Sequence, residues 1–293
     1  MRRILISLFA TLTLSACNGD LRAYFGRDLV DVEKDISYIA DSSSPRQTLD
    51  LYLPREVTNF PVVVFVHGGY WIAQDKDYYS SIVGLYGNVG YALARRGIGT
   101  AVINYRLVPD VSFDEQFADV ANAIKWTQTN LAQRRGDVRR MVLMGHSAGG
   151  HITALAAFDP KRLQSARVDL PSIRGFAPLS PIFDLEDMAA TPSDADFNAQ
   201  VTKQVFGTQL KEYSPRTYFT KSVAPMFVAL GEIDEPFLVT QVPRSIDELK
   251  TLGAPVTLLT LSNHSHSDVV VNIDTNSDIL TPALVDFIMS VTK

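Results

Sequence analysis

A serine set among small residues, an aspartate and two closely spaced histidines are the parts of this 293-residue sequence with the types and spacing for chemistry. In Gly145-His146-Ser147-Ala148-Gly149 the flanking small residues permit a tight turn from strand to helix that exposes the serine oxygen. A packed fold avoids such a cramped turn unless the hydroxyl is wanted, and the use it suggests is attack on an acyl carbonyl. Serine needs a base to take its proton, and the base needs a carboxylate to orient it. Asp234 follows the apolar run ending at Gly231, and His264 and His266 follow the run ending at Leu261, so the chain order is serine, acid, histidine. Glu232 and Glu235 stand nearby as substitute acids, and spacing alone does not choose between the two histidines. The negative charge of the attacked carbonyl also needs donors. In His67-Gly68-Gly69-Tyr70-Trp71 the glycines after a buried strand leave backbone N–H groups uncovered, and those of Gly69 and Tyr70 can act with that of Ala148. His67 and His146 read as residues that shape these loops, and His151 as a packing residue.

The elements that must hold these residues alternate along the chain. Strands are expected at Thr48–Leu53, in PVVVFVHGG, GTAVINYRL, RMVLMG, IRGFAPLS and PMFVALG, and in PVTLLTL. Helices are expected at Tyr78–Arg96, Phe113–Gln133, from Ser147, near Thr240–Leu252 and near Ile279–Val291. This alternation implies an α/β architecture: a mostly parallel sheet with helices on both faces, whose site lies at the carboxyl ends of the strands. Leu185–Tyr218 lies between two strands and can fold over the serine as a lid-like insertion or form a plain surface insertion, and Tyr70, Trp71 and Phe206 are candidates for an apolar pocket wall or for the core.

At 46% hydrophobic content the chain can bury one large core, and a net charge of −5 offers no basic face for nucleic acid. Two histidines without a third nearby make a poor metal site, and no cofactor is implied. The opening MRRILISLFATLTLSAC has a basic start, a short apolar run and small residues before the single cysteine, the order of an export signal. Residues 1–16 are read as that signal, 17–45 as a polar tether and N-terminal segment, and 46–293 as the catalytic domain, with the insertion at about 185–218.

Two resemblances sharpen this reading. Leu14-Ser15-Ala16-Cys17 resembles the lipobox of bacterial lipoproteins, which implies cleavage before Cys17, lipidation of its thiol, and an exported protein held at a bacterial membrane, with the outer membrane or periplasm as its place. HGGYW, NYRLVP and GHSAGGH resemble the esterase and lipase branch of the α/β-hydrolase fold. Within it the order HGGYW, GHSAGGHITAL, IRGFAPLSPIFDLE, SPRTY and GEIDEPF is similar to arylformamidases, and also to prenylcysteine methylesterase-like proteins. That resemblance implies a carboxylesterase-type serine hydrolase with Ser147 as nucleophile, Asp234 as acid and His266, which precedes Ser267-Asp268-Val269-Val270, as base. An aromatic residue usually follows this histidine in formamidases, where Ser267 stands here, which weakens the case for an aromatic substrate, and the export signal argues for small acyl esters met outside the cytoplasm. A formamide hydrolase and a non-catalytic binding lipoprotein are the alternatives.

Overall fold

Phe60–Val66, valines and phenylalanines apart from Pro61, form a strand whose every side chain is buried. It occupies the interior of a sheet made of β1 (Val30–Ser37), β2 (Thr48–Pro54), β3 (Phe60–Val66), β4 (Gly99–Ile103), β5 (Gly136–His146), β6 (Ile173–Leu179), β7 (Met226–Gly231) and β8 (Val256–Leu261). The structure is a computed structural model that describes residues 27–42, 44–78, 85–193 and 196–293. The strands lie in the order β1-β2-β4-β3-β5-β6-β7-β8. β2 runs antiparallel to both β1 and β4, and all pairings from β4 to β8 are parallel.

Alternate residues of β3 enter two cores. Val62, Val64 and Val66 face one and Val63 and Phe65 the other, because side chains alternate across a strand. The helices that cover these faces are α1 (Gly87–Ala94), α2 (Phe113–Asn130), α3 (Ala148–Phe158), α4 (Lys161–Gln164), α5 (Leu185–Ala190), α6 (Phe197–Phe206), α7 (Leu210–Tyr213), α8 (Pro236–Thr251), α9 (Asp268–Val271) and α10 (Leu280–Val291). α2, α3 and α8 supply the first core, and α1, α9 and α10 the second. Ser112 begins α2 with a reciprocal capping box to Glu115, and Pro236 begins α8, where its missing N–H costs no bond.

Two expectations change and one open choice is settled. Of residues 17–45, read as a polar tether and N-terminal segment, Arg27–Leu29 form a short 3-10 turn and Val30–Ser37 join the sheet as the edge strand β1. Its acidic residues and a register break between Glu33 and Ile36 blunt the alternation by which strands are recognised, as befits an edge. The helix read from Tyr78 is observed from Gly87, residues 79–84 lying outside the described residues. Trp71 and Phe206 are core, not pocket wall: their rings meet edge to face with centroids 4.8 Å apart and are packed around Phe113, His151 and Tyr213. The insertion is thus pinned by its own aromatic residues. The signal segment and Cys17 lie outside the described residues, and no described helix is long and apolar enough to cross a membrane.

Candidate active site

The carboxyl ends of β3, β5, β6, β7 and β8 bring the chemical residues together. Ser147 follows β5 with φ 56° and ψ −119°, a conformation that costs a non-glycine residue energy and is held by its N–H donating to Leu179 O at 3.0 Å. Small neighbours are obligatory here. A Cβ at Gly149 would lie 2.1 Å from the Val66 carbonyl oxygen, and one at Gly145 would lie 2.4 Å from that of Gly149.

The HGGYW loop packs against this turn: a Cβ at Gly68 would come 3.1 Å from that of Ser147. Gly69 has φ +109°, and Tyr70 and Trp71 also have positive φ, so the chain reverses immediately after β3. The reversal is fixed from below. The Tyr86 hydroxyl accepts from Gly68 N–H and donates to Gln74, the Tyr105 hydroxyl donates to His67 O, and Gln116 donates to Trp71 O. The N–H groups of Gly69, Tyr70 and Ala148 have no backbone acceptor among the described residues. The Tyr70 ring is half-buried and meets Phe197 of α6 edge to face, centroids 4.9 Å apart, so the insertion does reach the edge of the site.

Asp234 and His266 form a hydrogen-bonded pair, Nδ1 donating to Oδ1 at 2.6 Å. The other carboxylate oxygen, Oδ2, accepts from the Ser180 hydroxyl at 2.6 Å and from Gly231 N–H at 3.3 Å, and Glu235 N–H donates to Oδ1 at 2.8 Å. Burial works against the charge on Asp234, but the His266 and Ser180 bonds outweigh it and hold the carboxyl below its usual range. For His266 burial pulls the pKa down, and the bond and charge of Asp234, aided by the Glu235 charge, more than reverse it, leaving it raised. Glu232 accepts from Asn263 N–H on an exposed turn, so neither substitute acid bonds the ring. His264 turns away: its Nδ1 donates to Ser262 O, while its carbonyl receives Ile233 N–H.

The loop carrying His266 meets the elbow through His146, whose Nε2 donates to His266 O at 3.0 Å. No hydrogen bond joins the Ser147 hydroxyl to His266 among the described residues. In free enzymes such bonds are commonly long and tighten when substrate binds. His67, His146 and His151 are buried, and burial drives each imidazole down to about 3, so all three are neutral. Ser180 was not singled out by the sequence. Its place at the end of the IRGFAPLS strand was legible, but its bond to a residue 54 positions away was not.

The family described as BD-FAE matches residues 49–245, a span that holds the HGGYW loop, Ser147, Ser180 and Asp234. An isoprenylcysteine alpha-carbonyl methylesterase of Arabidopsis thaliana is 28% identical over 81% of this chain and 57% of its own length. The chain thus spans little more than half of that relative. The kynurenine formamidase of Drosophila melanogaster is 26% identical over 77% of this chain and 72% of its own. Among solved structures, esterase B from Lactobacillus rhamnosis superposes with a TM-score of 0.76 at 21% identity, covering 90% of this chain and 87% of that one. With a matched span longer than half the chain and a sheet of the same architecture, this chain belongs to the BD-FAE family and has the α/β-hydrolase fold.

Proposed function

We propose that the protein is a serine carboxylic-ester hydrolase acting on small acyl esters, with Ser147 as nucleophile, His266 as base and Asp234 as the orienting acid. The observation that carries this reading is the bond from the His266 ring to the buried Asp234, docked beside a strained serine elbow. Ser147 Oγ attacks the acyl carbonyl while His266 Nε2 takes its proton. The imidazolium so formed is stabilised by Asp234 and then protonates the leaving alcohol. Water enters, gives its proton to His266 and attacks the acyl-enzyme, and the acid departs with Ser147 restored. The N–H groups of Gly69, Tyr70 and Ala148 are the donors for the oxyanion, each contributing roughly 2.7–4 kcal/mol when measured by removal.

Hydrolysis of p-nitrophenyl acetate, butyrate and octanoate, beside N-formylkynurenine and an acetylated sugar, tests this reading. Turnover of the short esters together with fluorophosphonate labelling at Ser147 supports it. Labelling without turnover of any ester would refute the substrate class, and a wild-type protein that is neither labelled nor active would leave a binding lipoprotein. Likeness to the Drosophila formamidase favours a second reading, a formamide hydrolase, which turnover of N-formylkynurenine above all esters would establish. We also propose, from the sequence around Cys17 alone, a lipid-anchored exported protein. Cys17→Ser should move it out of the membrane fraction, since one or more acyl chains would supply the anchor.

A further inference from the structure

We propose that His146 is a positioning residue that docks the loop carrying the base onto the strand carrying the nucleophile. The inference rests on the serine-hydrolase reading above. A base must be fixed in two directions, toward its acid and toward its nucleophile. The first is secured several times over. Besides the bond to Asp234 itself, Ile233 N–H donates to His264 O at 3.1 Å and Asn263 N–H to Glu232 at 2.9 Å, tying the base's loop to the turn that bears the acid. Ser265 and Asp268 brace the same loop internally. None of these contacts involves β5. Among the described residues the one hydrogen bond between the end of β5 and this loop is His146 Nε2 to His266 O, across 120 residues of sequence.

The chemistry of the contact suits the task. A carbonyl only accepts, so Nε2 carries the proton and Nδ1 keeps a bare lone pair in a buried place with no partner. One neutral tautomer is thereby selected. The His146 ring is 4% exposed and lies 4.7 Å from the His266 ring, tilted by 38°. A second proton on His146 would be buried without an acceptor, next to a ring that must itself become cationic during turnover. His146 therefore supplies a donor without adding a charge. The ionisable groups that set the protonation of His266 are Asp234 and Glu235 on the β7–α8 turn. His146 is the one facing it from β5, and His264 and Asp268 belong to its own loop and the helix after it.

The test compares donors of equal reach. His146→Leu removes the donor, whereas His146→Gln places an amide Nε2 where the imidazole Nε2 was. With concentrations normalised by fluorophosphonate titration, His146→Leu should lose about ten- to hundredfold in kcat, the cost of a modest misplacement of a reacting group, with little change in KM. His146→Gln should recover to within a few-fold of wild type. The acid limb of kcat/KM should stay at its wild-type pH in both, because the acid-facing contacts are untouched. A leucine variant with undiminished kcat, or a folded glutamine variant as impaired as the leucine one, would overturn the proposal. Should His146→Leu fail to fold, His146→Asn, whose amide stops short of the carbonyl, provides the same contrast. A wild-type protein inactive on every ester and formamide would instead overturn the hydrolase reading.

Discussion

Two regions of this molecule bury carboxylates against a cation, and they do it to opposite ends. In the first, Lys76 Nζ lies within 2.7–2.8 Å of Asp35, Asp50 and Asp77, and Lys34 adds contacts to Asp50 and Asp77 at 3.3 and 2.7 Å. The Lys76 side chain is 2% exposed. Burial alone would favour the neutral amine, but three carboxylate bonds prevail and raise its pKa well above the lysine value, so its charge is permanent. This network joins the irregular end of β1, the start of β2 and the tail of the HGGYW loop, whose Lys76 N–H also donates to Asn104. In the second region the carboxylate of Asp234 is fully buried, but its partner is an imidazole that is 18% exposed, whose pKa is raised because the bond and charge of Asp234 outweigh its burial. The same carboxylate chemistry makes a rivet where the cation cannot lose its proton and, on the proposed function, a working pair where it must. The rivet anchors the tail of the HGGYW loop to β1 and β2.

The largest effects should fall on the working pair. Ser147→Ala and His266→Ala should each lower ester turnover by about 10⁴–10⁶-fold, and the double variant by little more, since triad members act as a unit. Folding measured by circular dichroism should be preserved in Ser147→Ala, because alanine keeps the packing and the elbow. A turnover near wild type in either folded variant would erase the distinction between the regions.

Lys76→Met should act on stability instead. It leaves the buried Asp50 with only the more distant Lys34 as partner, which should cost up to about 3–5 kcal/mol in urea unfolding. A loss below about 1 kcal/mol, the range of a surface ion pair, would mean the network is solvated. Smaller effects probe the edges of the pair. Ser180→Ala should reduce kcat/KM by about tenfold, the worth of one charge-assisted bond at Asp234, and His264→Ala by about tenfold or less. If His264→Ala were instead as damaging as His266→Ala, the base would have been assigned to the wrong ring.

The pH dependence separates the regions most finely. Because the pKa of His266 is raised, the acid limb of kcat/KM should lie above about 6.5, the ordinary imidazole value, and Asp234→Asn should move it down. For stability the sign is opposite. A raised histidine pKa stabilises the fold fully below its unfolded value of about 6.5, and that contribution disappears as pH climbs through the folded value. The stability difference between wild type and His266→Ala should therefore shrink as pH rises from about 6 to 9, whereas that for Lys76→Met should stay flat. Parallel curves would show that both cations behave as fixed charges.

The sequence by itself determined the features governed by local sterics and periodicity. The elbow and the HGG turn are legible because only small residues fit where a Cβ would meet a backbone oxygen at 2.1–2.4 Å, as at Gly69, Gly145 and Gly149. Most sheet strands are legible because a strand covered on both faces reads as a continuous apolar run. Strand β1 was not, since an edge strand carrying Asp31, Glu33 and Asp35 has the composition of a loop. Spacing left His264 and His266 open and the family resemblance pointed to His266, whose ring the tertiary structure sets on Asp234; the tertiary structure alone decided which residues brace that pair and what became of Trp71 and Phe206. Ser180 and Asp234, His146 and His266, and Lys76 and Asp35 are separated by 54, 120 and 41 residues. Contacts of that range leave no period or spacing in the chain. They exist only because parallel strands deliver their carboxyl ends to one edge of the sheet, where loops from distant parts of the sequence are forced to share hydrogen bonds.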